Sequence, residues 1–169
     1  MKSVVEIADK VRSGALKARD VVAEAFATIE ERNEPLNAFI MLDRPGAFRM
    51  ADEIDAKVAR GEDPGLLAGV PFGVKDLEDV IGLPTTQGCW FYKDSAPKTE
   101  DSPHVARLRA AGAIPIGKTA ASEFGMDSAT YTYAWGVTRN PWNSSRTPGG
   151  SSGGEAAALA SGQTPLGIG

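Results

Sequence analysis

A lysine and a pair of serines are the residues of this sequence with the clearest chemical potential. Lys75 follows a short apolar run, and Ser151 and Ser152 lie within a run of glycines. A lysine and two serines can carry out acyl chemistry without histidine if the amine is neutral when it accepts a proton. Burial at the end of a strand would favour the neutral amine. An exposed Lys75 paired with Asp76 is the competing interpretation.

Two other strings match the patterns of known catalytic loops but lack what those loops need. Residues 112–119 match G-x-x-x-x-G-K-[ST], the phosphate-binding loop, yet Ile-Pro-Ile fills the interior and is typical of a strand. Residues 150–154 match G-x-S-x-G around Ser152, but a nucleophile elbow needs a strand before it and a histidine after it. The single histidine, His104, precedes the string in a predicted surface helix. We therefore predict that neither string has its usual catalytic role.

The composition is that of an ordinary globular protein and excludes several classes. Among the 169 residues, 18 are basic and 22 acidic, which gives a net charge of −4 and argues against a polycationic nucleic-acid arm. No segment approaches the roughly 18 apolar residues of a membrane helix, and the first residues lack the apolar region of a secretory signal. One histidine and one cysteine leave no multi-histidine metal site and no internal disulfide. We predict a cytoplasmic protein.

An acidic cluster follows the candidate lysine. Asp76, Glu78 and Asp79 are close enough in sequence to suggest a divalent cation site. Charged residues in a turn explain the same pattern more simply. We predict that these carboxylates bind no metal.

The elements that must position these residues fall into two parts. Apolar residues recur with helical spacing over 4–11, 18–32 and 47–58, and Asn33 with Pro35 is predicted to end the second helix. An apolar run at 38–42 is compatible with a strand. After residue 60 the chain contains all but two of the 19 glycines and all but two of the 11 prolines. The first part is therefore predicted to be rich in helix and the second rich in turns.

The second part has the pattern of an α/β sheet. Apolar segments at 70–74 and 114–116 flank a predicted helix over 104–111, and a helical run over 155–160 follows the glycine-rich turn. A further apolar segment at 166–168 predicts the beginning of another strand.

Four ordered blocks of the sequence resemble the amidase signature family: residues 67–76, 102–119, 140–143 and 146–157. The resemblance covers nearly the whole chain and assigns the phosphate-loop string to an ordinary strand and turn. It implies an α/β fold with a mixed twisted sheet covered by helices on both faces. Residues 1–169 would form the N-terminal portion of one such domain, with a helical segment at 1–61 and the start of the α/β core at 62–169.

The resemblance also implies a chemistry, namely hydrolysis of a small carboxamide by a Ser–cis-Ser–Lys triad without a cofactor. By position in the family motifs, Lys75 is the general base and Ser151 is the bridging serine. The peptide bond from Gly150 to Ser151 would be cis. Gly149, Gly150 and Ser152 would support the turn or contact the substrate.

In the family, the segment that matches residues 167–169 continues into Thr-Asp-x-Gly-Gly-Ser, whose last serine is the nucleophile and whose backbone N–H groups form the oxyanion hole. The present sequence ends at Gly169. We therefore expect it to be a fragment of a longer amidase and to be inactive by itself. In the parent protein, Lys75→Ala or Ser151→Ala should abolish amide hydrolysis.

Two alternatives to a free-standing amidase stay open. The family includes the amidase subunit of tRNA-dependent amidotransferases, so partner subunits or a homo-oligomer are possible. The sequence shows no basic groove that would bind tRNA directly. The second alternative is a non-catalytic module whose glycine turn at 149–154 binds an anion at a helix N-terminus.

Overall fold

The chain combines α-helices and β-strands in a computed structural model that describes residues 2–169. The α-helices are Val4–Arg12 (α1), Ala18–Leu36 (α2), Arg44–Ala59 (α3), Pro103–Ala110 (α4) and Gly153–Ala160 (α5). The strands are Phe39–Leu42 (β1), Pro71–Lys75 (β2), Ile114–Thr119 (β3), Tyr131–Thr132 (β4), Gly136–Val137 (β5) and Leu166–Ile168 (β6).

Four strands form one mixed sheet in the order β1-β3-β2-β6. Strand β2 is parallel to both β3 and β6, whereas β1 is antiparallel to β3. The carboxyl ends of β2, β3 and β6 therefore meet at one edge of the sheet, and Lys75 is the last residue of β2 at that edge. Strands β4 and β5 form a separate hairpin.

Helices cover both faces of this sheet, as predicted. Successive residues of a strand point to opposite faces, so Phe72 and Val74 share one face while Gly73 and Lys75 share the other. Phe72 and Val74 pack against Val105 of α4 in one buried cluster. A larger cluster joins residues of α1, α2, α3 and α5 to β3.

The second helix differs from the prediction, because it continues past Asn33 and Pro35 to Leu36. Pro35 lies in the last turn, where the missing N–H costs one hydrogen bond and the fixed φ of proline is compatible with a helix. The helix ends at Asn37, which has a left-handed φ of 52° and donates its N–H to the Asn33 carbonyl at 2.7 Å. The Asn33 side chain accepts from the Phe39 N–H at 2.7 Å and so directs the chain into β1.

The string that resembles a phosphate-binding loop is a buried strand. Ile114–Thr119 is β3, and every residue in it is buried between its neighbours β1 and β2. Gly112, with a φ of +90°, makes the turn between α4 and this strand. The predicted strand is confirmed. None of the helices in residues 2–169 has the length and apolar character needed to cross a membrane.

Candidate active site

Lys75 lies at the carboxyl end of β2 and contacts Ser151. The residue is only 9% exposed, and its Nζ donates to the Ser151 Oγ at 2.8 Å. The two residues are separated by 76 positions in the chain, so only the fold brings them together. The competing interpretation, an exposed Lys75 paired with Asp76, is wrong because the carboxylate of Asp76 is bound elsewhere and Lys75 is buried.

The environment of Lys75 weakens the binding of the proton on its amine. Burial lowers the pKa of Lys75, and the negative charge of Glu78 partly opposes this by raising it. The Glu78 carboxylate does not approach the amine as an ion-pair partner but instead contacts the Nε2 of His104 at 2.8 Å. Lys75 is therefore able to lose its proton more readily than an exposed lysine.

The turn that presents Ser151 is built from glycines. The peptide bond between Gly150 and Ser151 is cis. Gly149 has a φ of +102°, which L side chains rarely adopt. A Cβ on Gly150 would lie 2.5 Å from the Asp127 carbonyl oxygen, so the close approach of two backbones requires glycine there. Ser152 follows as the residue preceding α5 and makes no side-chain hydrogen bond to cap that helix.

Two hydroxyl residues brace this turn from the loop after β3. The Thr130 Oγ1 donates to the Gly149 carbonyl at 3.0 Å and accepts from the Gly153 N–H at 3.0 Å. The Ser122 N–H donates to the Ser151 carbonyl at 3.0 Å. Neither residue is predicted from the sequence, because isolated hydroxyl residues in a turn-rich segment carry no periodic signal.

Replacement of Thr130 by valine should destabilise the turn. Thr130→Val keeps the shape of the side chain but leaves the buried Gly153 N–H without its acceptor. It also removes one of two donors to the Gly149 carbonyl, which still accepts from the Thr147 hydroxyl at 3.3 Å. We expect a loss of about 1–3 kcal/mol in the free energy of unfolding, measured by urea denaturation of this chain. The exposed Thr99 provides a control, since Thr99→Val should change the stability by less than about 0.5 kcal/mol. Equal effects of the two substitutions would contradict the bracing role of Thr130.

A buried ion pair lies on the opposite face of the sheet from Lys75. The strand register places Lys118 beside Val74 and Thr119 beside Lys75, so Lys118 points away from the amine of Lys75. Lys118 is fully buried, and its Nζ lies 3.6 Å from Asp76 Oδ1. Burial lowers the pKa of Lys118 to about 8, while the charge of Asp76 opposes the shift.

Asp76 organises the loop that follows β2. Its carboxylate accepts from the Thr86 N–H at 2.9 Å, the Gly88 N–H at 3.1 Å and the Thr86 hydroxyl. The Thr86 hydroxyl also accepts from the Trp135 indole N–H at 2.9 Å. Together with Lys118, these donors hold the chain immediately after Lys75 in one place.

The acidic cluster after Lys75 does not converge. Asp76 points into the interior, Glu78 pairs with His104, and Asp79 pairs with Lys98 at 3.3 Å on the surface. Within residues 2–169 no group of three or more His, Cys, Asp or Glu side chains could hold a metal ion.

The last strand directs the chain into this site. Strand β6 pairs with β2 so that Gly167 lies opposite Gly73 and Ile168 opposite Val74. The next residue, Gly169, therefore reaches the level of Lys75. A Cβ on Gly169 would lie 3.0 Å from the Cβ of Ser152, which shows how closely the end of this strand approaches the serine turn.

Comparison with known sequences identifies related proteins over almost the whole chain. The family described as Amidase matches residues 20–169. The A subunit of glutamyl-tRNA(Gln) amidotransferase from Streptomyces avermitilis is 44% identical over 167 residues, which are 99% of this chain and 33% of that protein. Its counterpart in Bdellovibrio bacteriovorus is 44% identical over 159 residues, 94% of this chain and 32% of that protein. The chain thus spans about a third of the length of these curated relatives.

Solved structures share the fold. A bacterial aryl acylamidase of the amidase signature family has a TM-score of 0.93 at 32% identity and is matched over 98% of this chain and 34% of its own. The 6-aminohexanoate cyclic dimer hydrolase in complex with substrate has a TM-score of 0.88 at 33% identity, over 98% of this chain and 33% of its own. One chain of a vestigial protein complex linked to the evolutionary origins of an s-triazine catabolic enzyme has a TM-score of 0.95 at 42% identity. The match covers 99% of this chain and 37% of that chain.

The family match extends over residues 20–169. This range includes the buried lysine, the serine in its glycine turn and the mixed sheet that joins them. The chain belongs to the amidase signature family.

Proposed function

We propose that this chain supplies the general base and the bridging serine of an amide hydrolase. Lys75 is the base and Ser151 is the bridge. The observation that carries the proposal is the 2.8 Å contact between the Lys75 Nζ and the Ser151 Oγ, made by an amine whose pKa is lowered by burial. Both conditions are required of a lysine that activates a hydroxyl nucleophile.

The geometry supports a proton relay. With the amine neutral, the Ser151 hydroxyl donates to the Lys75 Nζ, and the Ser151 oxygen is then free to accept a proton from a nucleophilic hydroxyl. That hydroxyl attacks the amide carbonyl carbon, and the relayed proton returns to the nitrogen that leaves as the C–N bond breaks. Water then cleaves the acyl ester by the same relay, which restores the serine and releases the acid.

The nucleophile in this proposal is a serine that follows Gly169 in a longer protein. Strand β6 leaves the sheet beside Lys75 and Ser152, so residues that continue from it enter the site directly. Their backbone N–H groups would also form the oxyanion hole. We accordingly propose that the 169 residues are the N-terminal portion of one amidase domain and are inactive by themselves.

An assay with two polypeptides tests this proposal. Ammonia or amine release from a panel of small carboxamides is measured for this chain and for a natural protein in which the sequence continues through a Gly-Gly-Ser segment. We expect turnover by the longer protein alone, and a loss of at least about 10³-fold in kcat/KM for its Ser151→Ala variant. The exposed Ser144 is a matched control, since Ser144→Ala should retain full activity. A folded Ser151→Ala variant with near-normal turnover would refute the role of Ser151.

A second candidate is an amidase subunit of a tRNA-dependent amidotransferase. The observation in its favour is the 44% identity, over 99% of this chain, to the A subunit of glutamyl-tRNA(Gln) amidotransferase. In that case the longer protein should co-purify with different subunits, whereas a free-standing amidase should purify alone or as a homo-oligomer. Neither candidate requires this chain to bind nucleic acid or a membrane.

The geometry does not favour the anion-binding alternative. The Gly153 N–H at the start of α5 is bonded to Thr130 at 3.0 Å, and the Gly154 N–H is bonded to the Ala120 carbonyl at 2.9 Å. These donors are therefore not directed toward an open anion site.

The cytoplasmic location is part of our proposal, and the free thiol of Cys89 is compatible with it.

A further inference from the structure

Glu155 fills a space above two glycines of the sheet, close to the proposed site in the chain. It lies in the first turn of α5, four residues after Ser151, and is only 3% exposed. Its carboxyl group lies on the face of the sheet over Gly73 of β2 and Gly167 of β6, which are partners in the parallel pairing. A Cβ on Gly73 would lie 2.6 Å from the Glu155 Oε2, and a Cβ on Gly167 would overlap the Oε1. The two glycines together create the space that the carboxyl group fills.

The hydrogen bonding of this carboxyl group is sparse for a buried carboxylate. The Oε2 accepts from the Thr119 hydroxyl at 2.9 Å, and the Oε1 has no partner among residues 2–169. A buried carboxylate normally needs a cation or several donors. Burial raises the pKa of Glu155 to about 8, and the hydrogen bond from Thr119 opposes the shift only partly.

Among residues 2–169, Glu155 has no cation as a partner. Thr119 and Lys75 are partners in the strand register, so Glu155 and Lys75 lie on the same face of the sheet. On this face, β2 carries one ionisable residue, Lys75. Strand β6 carries no ionisable residue, and the one ionisable residue of α5 is Glu155 itself. Lys118 of β3 is on the other face with Asp76. A charged Glu155 would therefore be buried without a counter-charge.

We propose that Glu155 is a positioning residue that remains a neutral carboxylic acid, ties the first turn of α5 to β3, and thereby holds Ser151 at Lys75. Its tie to the sheet stands on the described geometry. Its consequence for catalysis rests on the function proposed above.

The protonation state is tested on this chain without any assay of activity. The raised pKa means that the folded chain binds this proton more tightly than the unfolded chain. The stabilisation is therefore complete below the ordinary carboxyl pKa and is lost as pH rises through about 8. Urea midpoints of the wild type and of Glu155→Gln, a neutral residue of similar shape, are compared from pH 5 to pH 9.

We expect the midpoint of the wild type to fall relative to that of Glu155→Gln as the pH rises. The exposed Glu53 gives a matched control for the loss of one carboxyl group, and Glu53→Gln should keep the pH dependence of the wild type. If Glu155→Gln also keeps that dependence, or is less stable than the wild type by the same amount at every pH, the neutral acid is refuted.

The positioning role is tested in a longer protein that hydrolyses amides. Glu155→Gln should keep kcat within about threefold, whereas Glu155→Ala should lower kcat at least about tenfold with little change in KM. Because Glu155 is uncharged below pH 7 in our proposal, Glu155→Gln should leave the acidic limb of the pH–rate profile in place. A shift of that limb by more than about half a pH unit would show a charged Glu155 and overturn the proposal.

The two proposals fail in different ways. A longer wild-type protein that hydrolyses no amide would refute the proposed function, while the urea midpoints of this chain would still decide whether Glu155 is neutral. Conversely, an active longer protein whose Glu155→Ala variant keeps normal kcat would refute the positioning role alone.

Discussion

Lys75→Met is expected to lower kcat/KM for amide hydrolysis by about 10³- to 10⁴-fold in a protein that continues past Gly169. Methionine retains an unbranched apolar side chain in the buried position but has no nitrogen to accept the proton of Ser151. The contact at 2.8 Å between the amine and the Ser151 Oγ is lost, and with it the proposed relay. Initial rates with a small carboxamide measure the effect.

Two further variants distinguish a base from a simple positive charge. Lys75→Arg preserves the charge, but a guanidinium does not give up its proton at accessible pH, so we expect this variant to be as inactive as Lys75→Met. The exposed Lys57 provides the control, because Lys57→Met removes a lysine far from any described catalytic contact. Substantial activity in a folded Lys75→Arg variant would rule out Lys75 as the general base.

The pH dependence of the wild type follows from the same group. The active form is the neutral amine, so the rate should rise with pH through the pKa of Lys75. Burial lowers that pKa from its ordinary value of 10.5, and the rise should therefore occur at lower pH than for an exposed lysine. The rising part of the pH profile of kcat/KM reports the pKa of this group in the free enzyme. A limb at or above 10.5 would contradict the effect of burial.

The second large effect is on stability. Lys118→Met is expected to reduce the free energy of unfolding by about 3–5 kcal/mol, because it leaves the buried carboxylate of Asp76 without its cation. Lys118 also donates to the Thr85 hydroxyl at 3.0 Å and to the Glu78 carbonyl, so the substitution removes two further hydrogen bonds, although the Thr85 hydroxyl still donates to that carbonyl at 3.2 Å. Urea denaturation of this chain at neutral pH measures the loss.

A double substitution separates the charge from the packing. Adding Asp76→Asn to Lys118→Met removes the unpaired charge and should recover a substantial part of the loss, which a double-mutant cycle quantifies. The surface pair Lys98–Asp79, with side chains 40% and 41% exposed, is the matched control. Lys98→Met should cost less than about 1 kcal/mol. A similar cost for Lys98→Met and Lys118→Met would show that burial of the ion pair is not the cause.

The limits of prediction are clearest in the polar residues around the site. Lys75 and Ser151 were identified from motif positions, and the structure places them in contact. Lys118, the partner of Asp76, was not identified from the sequence, because no local pattern specifies the register of its strand with β2. Thr130 was also missed, since its hydrogen bonds reach a turn 19 or more positions away in the chain.

Local patterns by themselves determined the helices, most strands and the presence of a glycine-rich turn, because these depend on interactions between residues a few positions apart. They failed at Pro35, where the last turn of a helix tolerates a proline that would disrupt its middle. Tertiary structure alone decided that Lys75 is buried and forms no ion pair with Asp76. It also decided that the Glu155 carboxyl group lies over Gly73 and Gly167. Burial and charge environment arise from strands and loops far apart in the sequence, so they emerge only when the sheet is assembled.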